Sequence, residues 1–373
     1  METLFKDVLV IGSGPSGLLS GILASKQRKV TLIEKPGKNF MLSKRILVSG
    51  NGRANFYNED LLTHSIKKEY LPILEDEEHD YSKEFLDYLT KEGFSYTKEG
   101  KLYYPYFKRS ECLHSFLMEK IKDIEVLPSV CLSVNPRKKE VLLLLNGQKV
   151  LCHYQELVLS IGARSYDRKD YSYDILDSLG VSYYPYQSML CPIRTVEKIP
   201  SYLNKQRLRG KLTLKEEDRI LYEEEGELLF KEDGLSGIAL FDSTLYLHDA
   251  LRKNKKSKFT YLFDYAYDKG LTKDTSLSCY PSFLRKYLQE RRLRPLQTLS
   301  FTFEDFYPFE DSQASYGGIL LSQLNLKDFS LKEYPDIHAI GEMLDVNLPC
   351  GGYNIGISFI EGYRLGNILG GRR

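Results

Sequence analysis

The sequence predicts an α/β protein: a parallel-sheet domain interrupted by a smaller β-rich insert with a short helical part. Three observations predict it. Residues 7–34, DVLVIGSGPSGLLSGILASKQRKVTLIE, read as strand, glycine turn, helix, strand and acid. Apolar strand-like runs recur at ELVLSIGARS (156–165) and IHAIG (337–341), each meeting a glycine. Between them, GKLTLKEED and RILYEEEGELLF alternate in the manner of antiparallel strands, and KFTYLFDYAY reads as another.

Composition narrows the class. With 373 residues the chain is long enough for two domains, and 42% apolar with 28% charged residues is ordinary for a globular protein. A net charge of +1 gives no global attraction to nucleic acid or membrane. The start, METLFKD, lacks the apolar core of a signal peptide, and the longest aliphatic run, VLLLL at 141–145, is too short to span a bilayer. Cys112, Cys131, Cys152, Cys191, Cys279 and Cys350 show no CxxC spacing, which fits reduced thiols in the cytoplasm. The six histidines are dispersed, and no metal site is expected.

The elements follow in order. Val8–Ile11 forms the first strand. Gly12, Ser13, Gly14, Pro15, Ser16 and Gly17 form GxGxxG, opening a helix with apolar spacing over 18–25. Gly12 permits the turn, Gly14 lets a pyrophosphate approach the backbone, and Gly17 lets the helix sit close to the strand. The helix N-terminus offers unpaired N–H groups and partial positive charge to the phosphates. Lys29–Ile33 is the second strand. Glu34 ends it and can accept hydrogen bonds from a ribose, which disfavours a 2′-phosphate there; Lys35 follows.

A second glycine turn comes early, in KPGKNFMLSKRILVSGNGRAN (35–55). The segment is basic at Lys35, Lys38, Lys44 and Arg45, and reads as a poor helix or strand. Gly50 and Gly52 would let the backbone approach a flat ring, while Ser49, Asn51, Arg53 and Asn55 offer polar contacts. A flavin fits this better than nicotinamide; the alternative is an ordinary surface loop. The run IEVLPSV, ending at Val130, and EVLLLLNGQKVLCH would supply a smaller sheet of this domain, with Val130 counted among the cofactor contacts. ELVLSIGARS would return near the cofactor at Gly162.

The C-terminal run IHAIGEMLDVNLPCGGYNIGISFIEGYRLGN (337–367) shows a strand, Gly341, Glu342, Asp345, and then Gly351 and Gly352 opening a helix. The helix N-terminus at Gly352, Tyr353 and Asn354 would point at the flavin N1–C2=O edge, where the helix dipole stabilises negative charge, and Ile355 is counted with them among the cofactor contacts. Cys350 and Tyr353 adjoin this edge and are the candidate proton donors.

The combination IGSGPSG, KRILVSGNGRAN, GELLFKEDGLSG, ASYGGI and GEMLDVNLPCGGYN resembles the BaiN/RdsA-type family of flavin-dependent oxidoreductases (aminoacetone oxidase-like and YhiN-like flavoproteins). The matches run in the family's order over nearly the whole chain. The resemblance implies a Rossmann-type FAD-binding domain of the two-dinucleotide-binding-fold kind. It also implies reduction of a polarised carbon–carbon double bond, in uridine of large-subunit ribosomal RNA or in unsaturated bile-acid intermediates. The family's GRCN reads GRAN here, so Ala54 replaces a cysteine. Its GRK reads Ser43-Lys44-Arg45, and Arg164 is unusual in the IGARS strand end.

The expected organisation is an FAD-binding domain over 1–188 and 308–373, with an insert over 189–307. PSFLRKYLQERRLRP reads as a helix stopped by Pro295. Residues 191–300 hold 21 Lys and Arg against 16 Asp and Glu, so the insert is basic although the chain is not. The cluster Arg285, Lys286, Arg291, Arg292 and Arg294, with Tyr287 nearby, is the expected contact for ribosomal RNA, against the plainer reading of solvated charge. There is no second GxGxxG, so NAD(P)H would act as a transient electron donor. The expected activity is FAD-dependent reduction of uridine to dihydrouridine. The alternatives are a small-molecule enone reductase, or a flavoprotein that only binds RNA or senses redox state.

Overall fold

A computed structural model describes residues 2–38, 40–163, 172–272 and 274–371, so Arg164 lies outside the described residues. The chain divides into two units, residues 1–186 with 317–373, and residues 187–316. It passes from one to the other within the strands Tyr183–Met189 and Ala314–Ile319, so the second unit is wider than 189–307. No described helix is long and apolar enough to cross a membrane.

In the first unit, β1 is Thr3–Ile11, α1 is Pro15–Ala24 and β2 is Val30–Glu34. Val8–Ile11 is buried without alternation, as expected of a parallel strand covered on both faces. Pro15 suits the first helical turn, where its missing N–H costs nothing. The sheet is parallel across four junctions. β1 pairs with β2 on one side (Ile11 opposite Ile33) and with Gln148–Leu159 on the other (Ile11 opposite Leu159). Glu125–Pro128 extends it beside β2, and Ile337–Ala339 beside Leu157–Leu159.

The smaller sheet expected from IEVLPSV is not separate. Glu125–Asn135 is one 11-residue strand with two neighbours. Its first residues pair with β2, and Ser129–Asn135 turns onto Glu140–Leu145, which pairs in turn with Gln148–Leu159. Strands this long can change partner along their length.

The C-terminal helix, Tyr353–Leu369, packs along α1. Its small residues make that possible. A Cβ at Gly362 would run into the Ser16 carbonyl, and one at Gly366 would lie 2.8 Å from the Ser20 carbonyl. Helix α1 is thus enclosed, and Ser16–Ala24 is buried throughout.

The segment after β2 was expected to be a poor helix, but Lys44–Val48 forms a short one, α2. Tertiary contacts supply what propensity does not. Ile46 is buried, Ser110 Oγ donates to the Leu47 carbonyl at 2.7 Å, and His114 Nε2 lies 2.9 Å from the Leu42 carbonyl.

The second unit is a closed six-stranded barrel of Ile193–Thr195, Gly234–Ser236, Arg219–Phe230, Arg207–Glu216, Phe259–Asp264 and Leu299–Phe306. Phe230, Tyr261, Phe263 and Phe301 fill its core. The helical part is larger than expected. Ile238–Lys253 forms a 16-residue helix; Leu240, Ser243, Thr244, Leu247 and His248 share its buried face, and because three of them are polar the sequence shows no clear apolar stripe. The helix at Ser282–Glu290 ends before Pro295. Its stop is a left-handed Arg292 (φ 54°) with Leu293 N donating to the Leu288 carbonyl at 2.8 Å.

Candidate FAD-binding site

β1, β2, Gln148–Leu159 and Ile337–Ala339 all end at one edge of the sheet, where ligands of open parallel sheets bind. The GxGxxG turn bridges them: Gly12 N donates to the Ile33 carbonyl and Ser160 N to the Ile11 carbonyl, each at 2.8 Å. Ser16 Oγ and Ser160 Oγ are 2.9 Å apart and buried.

The three glycines differ in what demands them. A Cβ at Gly12 would strike the Ser160 carbonyl, and one at Gly17 the Gly12 carbonyl. Gly14 has ordinary helical-entry torsions (φ −57°), and a Cβ there would meet nothing nearer than 3.9 Å. The chain's own packing does not require a glycine at position 14. A pyrophosphate approaching the turn from outside would. Helix α1 meets that group with no side-chain cap and no acid in its first turn, so its N-terminal N–H groups are left for an anion. The residues fit a dinucleotide pyrophosphate.

Glu34 stands at the end of β2 as expected. It accepts from Ser13 N at 2.7 Å, from Ser13 Oγ, and from Lys35 N at 3.1 Å. Ser13 Oγ also accepts from Ser43 N at 2.8 Å, which ties the turn to the start of α2. Ser43 Oγ is buried without a partner, a polar group left over beside the turn.

The second glycine turn is real and tight. Gly50, Asn51 and Gly52 are all left-handed (φ 55°, 55° and 79°), with Ala54 N donating to the Ser49 carbonyl at 3.1 Å. Its side chains serve the chain more than expected. Ser49 Oγ donates to the Ile46 carbonyl at 2.7 Å. Arg53, expected beside the cofactor, pairs instead with Glu99 at 2.7 Å and lies 4.4 Å over the Tyr104 ring, because the hairpin 96–105 offers both an acid and an aromatic face. Arg45 reaches Glu342 at 2.7 Å, joining α2 to the Gly341 turn. Ala54 is fully buried and left-handed (φ 50°).

Val130 pairs with Leu144, beyond the register with β2, and Gly162 lies two residues past Ser160 with open space around it. A Cβ at Gly341 would strike Ser16 Oγ, so this turn presses against α1. Asp345 accepts from Asn347 Nδ2 at 2.7 Å, and Asn347 Oδ1 accepts from Gly317 N at 3.0 Å.

The C-terminal turn docks on the segment that follows the second glycine turn. With the Asn55 amide oriented to satisfy both its oxygen and its nitrogen, Asn55 Oδ1 accepts from Gly352 N at 3.2 Å; Asn58 Nδ2 donates to the Gly351 carbonyl at 2.7 Å, and Tyr353 Oη donates to Asp60 at 2.5 Å. Asn354 Nδ2 donates to the Leu348 and Pro349 carbonyls, which closes the loop before the helix. Ile355 packs against the core, and Cys350 is half-buried at the turn. The helix start has no side-chain cap and no acid in its first turn.

Sequence reasoning missed Ser160, Asn58, Asp60 and Glu361. The amide-and-acid run after GRAN was a signal for two of them. Glu361 carried none, since an acid within a helix reads as surface. It is 1% exposed and accepts from Gly341 N at 2.5 Å, and burial pushes its carboxyl up to about 8.

The family model of the HI0933-like protein Rossmann domain matches residues 6–368. The chain belongs to the HI0933-like family. HI0933-like proteins include BaiN/RdsA/YhiN-type flavoprotein oxidoreductases, and this chain is an FAD-dependent oxidoreductase. It is similar to a 3-dehydro-bile acid delta(4,6)-reductase of Clostridium scindens, 22% identical over 405 aligned positions that cover 96% of this chain and 97% of the relative. Among solved structures, this HI0933-like chain shares its fold with two steroid enzymes. One is the 3-ketosteroid delta1-dehydrogenase of Sterolibacterium denitrificans in complex with 1,4-androstadiene-3,17-dione (TM-score 0.53, 10% identity, 99% and 100% of the two chains). The other is the 3-ketosteroid-delta4-(5alpha)-dehydrogenase of Rhodococcus jostii RHA1 in complex with 4-androstene-3,17-dione (TM-score 0.53, 13% identity, 98% and 97%).

Proposed function

We propose that the protein reduces a polarised carbon–carbon double bond in a small-molecule enone of the steroid or bile-acid class, with NAD(P)H as electron donor. The observation that carries this reading is the end-to-end likeness to a bile-acid reductase, which spans both units. Uridine in ribosomal RNA, the leading expectation from the resemblance, gains no such support. Its expected docking helix is partly committed elsewhere: Lys286 lies near Glu290 (3.9 Å) and over Tyr202, Arg291 donates to the Lys198 carbonyl at 3.0 Å, and Tyr287 is buried.

When bound, FAD supplies hydride transfer. The chain's own residues do the rest. The α1 N-terminus and the Gly14 opening would hold the pyrophosphate, and Glu34 would take the adenosine ribose. The uncapped start of the C-terminal helix favours negative charge. Hydride addition to the β-carbon of an enone leaves an enolate, and a protein acid must then deliver a proton to the α-carbon. Cys350 and Tyr353 stand at the helix start to hold that proton. In this structure Tyr353 donates its hydroxyl to Asp60.

The test is product analysis with purified protein, NADH or NADPH, and either 4-androstene-3,17-dione or a uridine-containing ribosomal RNA fragment. A product two mass units heavier from the steroid supports the reading. Conversion of the RNA with the steroid untouched overturns it.

A further inference from the structure

Three successive residues of the C-terminal turn are held by side chains from one short segment, residues 55–60. Asn58 holds the Gly351 carbonyl, Asn55 holds the Gly352 N–H, and Asp60 holds the Tyr353 hydroxyl. The approach is close: a Cβ at Gly352 would lie 2.7 Å from the Tyr57 carbonyl. The segment is itself pinned to the hairpin 96–105. Asn55 Nδ2 donates to the Tyr57 and Tyr103 carbonyls at 3.1 and 3.2 Å, and Glu59 N donates to the Lys101 carbonyl at 2.8 Å. Lys101 Nζ pairs with the second oxygen of Asp60 at 2.8 Å. Burial opposes ionisation of Asp60, but Lys101 and Tyr353 more than offset it and keep its carboxyl below the ordinary range.

This arrangement joins two features that the sequence shows far apart. The segment begins where the second glycine turn ends, and the residues it grips open the C-terminal helix. The first-turn N–H groups of a helix point along its axis beyond its start, so the position of that start decides what they reach. A hydrogen bond to a charged carboxylate is among the stronger ways to fix such a position.

We propose that Asn55, Asn58 and Asp60, with Lys101 behind Asp60, form a clamp that sets the C-terminal helix start against the second glycine turn and thereby governs retention of the ring end of FAD. Asp60 is a positioning residue that acts through Tyr353. The inference rests on the reading of this site as the FAD cradle. It assigns residues 55–60 a function that the polar contacts expected at the second turn do not include.

The experiment is calorimetric titration of apoprotein with FAD, and separately with ADP, which carries the pyrophosphate but no isoalloxazine ring. Wild type, Asp60→Ala, Tyr353→Phe, the double variant and Asp60→Asn are compared. The expected result is that each single truncation weakens FAD binding about tenfold. The double variant is no weaker than either single one, because both remove the same bond. Asp60→Asn, which still accepts from Tyr353, restores most of the affinity, and ADP binds all five proteins alike. The flavin midpoint potential falls in Asp60→Ala, since a displaced helix start stabilises the reduced ring less. Unchanged FAD affinity in the single variants overturns the clamp. So do additive losses in the double variant, or an equal loss of ADP affinity, which would mark general unfolding. Wild-type protein that binds ADP but not FAD instead overturns the cradle reading beneath it.

Discussion

At the residue scale, the glycine turn separates two roles that the motif alone runs together. Gly17 is required by the chain, because a Cβ there meets the Gly12 carbonyl and the Ser160 side chain, whereas Gly14 has room for a Cβ and would be required only by a ligand. Gly17→Ala should therefore lower the melting temperature of the apoprotein, with an overpacking cost of about 1–3 kcal/mol. Gly14→Ala should leave apoprotein melting nearly unchanged while FAD retention is lost, which absorbance after gel filtration reads directly. Cys350→Ala should leave FAD bound and slow single-turnover reduction of an enone by about 100-fold, the lower range for loss of a general acid. Full activity in that variant would pass the role to Tyr353. The glycine turns were legible because left-handed torsions and close backbone approaches fall at glycines, which sequence displays. The partners of Arg53 were not legible, because a side chain's partner is chosen by the fold, and Glu99 and Tyr104 lie on a hairpin that the local sequence does not reveal.

At the scale of elements, the packing of the C-terminal helix on α1 has a titratable group beneath it. Glu361 reaches Gly341 N, and its folded carboxyl is raised from 4.5 to about 8 by burial. The folded state therefore holds a proton that the unfolded chain has released between those values. Stability from this group is complete below about 4.5 and declines as pH rises toward about 8. Glu361→Gln keeps an acceptor for Gly341 and removes the titration. Its melting temperature should gain on wild type as pH is raised from 5 to 8, and a constant difference across that range would refute the assignment. The βαβ unit over 7–34 was readable because its periodicity, turn and caps agree. The 16-residue helix Ile238–Lys253 was not, because its buried face carries the polar Ser243, Thr244 and His248, which blur the apolar stripe. The short α2 was not either, because contacts with the helix Ser110–Met118 rather than its own propensity hold it.

At the scale of the molecule, the family, the fold and the cofactor agree, and the substrate is the proposal. The basic residues of the insert provide one control. Converting Arg285, Arg292 and Arg294 together to Glu should leave steroid reduction intact if the substrate is a small enone, and a loss of turnover would restore a role for that surface in substrate capture. FAD added to apoprotein should raise its melting temperature in a concentration-dependent way, as any ligand specific to the folded state does. The most direct measurement is anaerobic. The FAD-loaded protein is reduced with dithionite and mixed with 4-androstene-3,17-dione, or with its analogue lacking the conjugated double bond, and flavin reoxidation is followed near 450 nm. The account predicts rapid return of the oxidised spectrum with the conjugated steroid, a saturated product, and no reoxidation by the analogue. Equal rates with both compounds, or none with either while uridine in ribosomal RNA reoxidises the flavin, would contradict it.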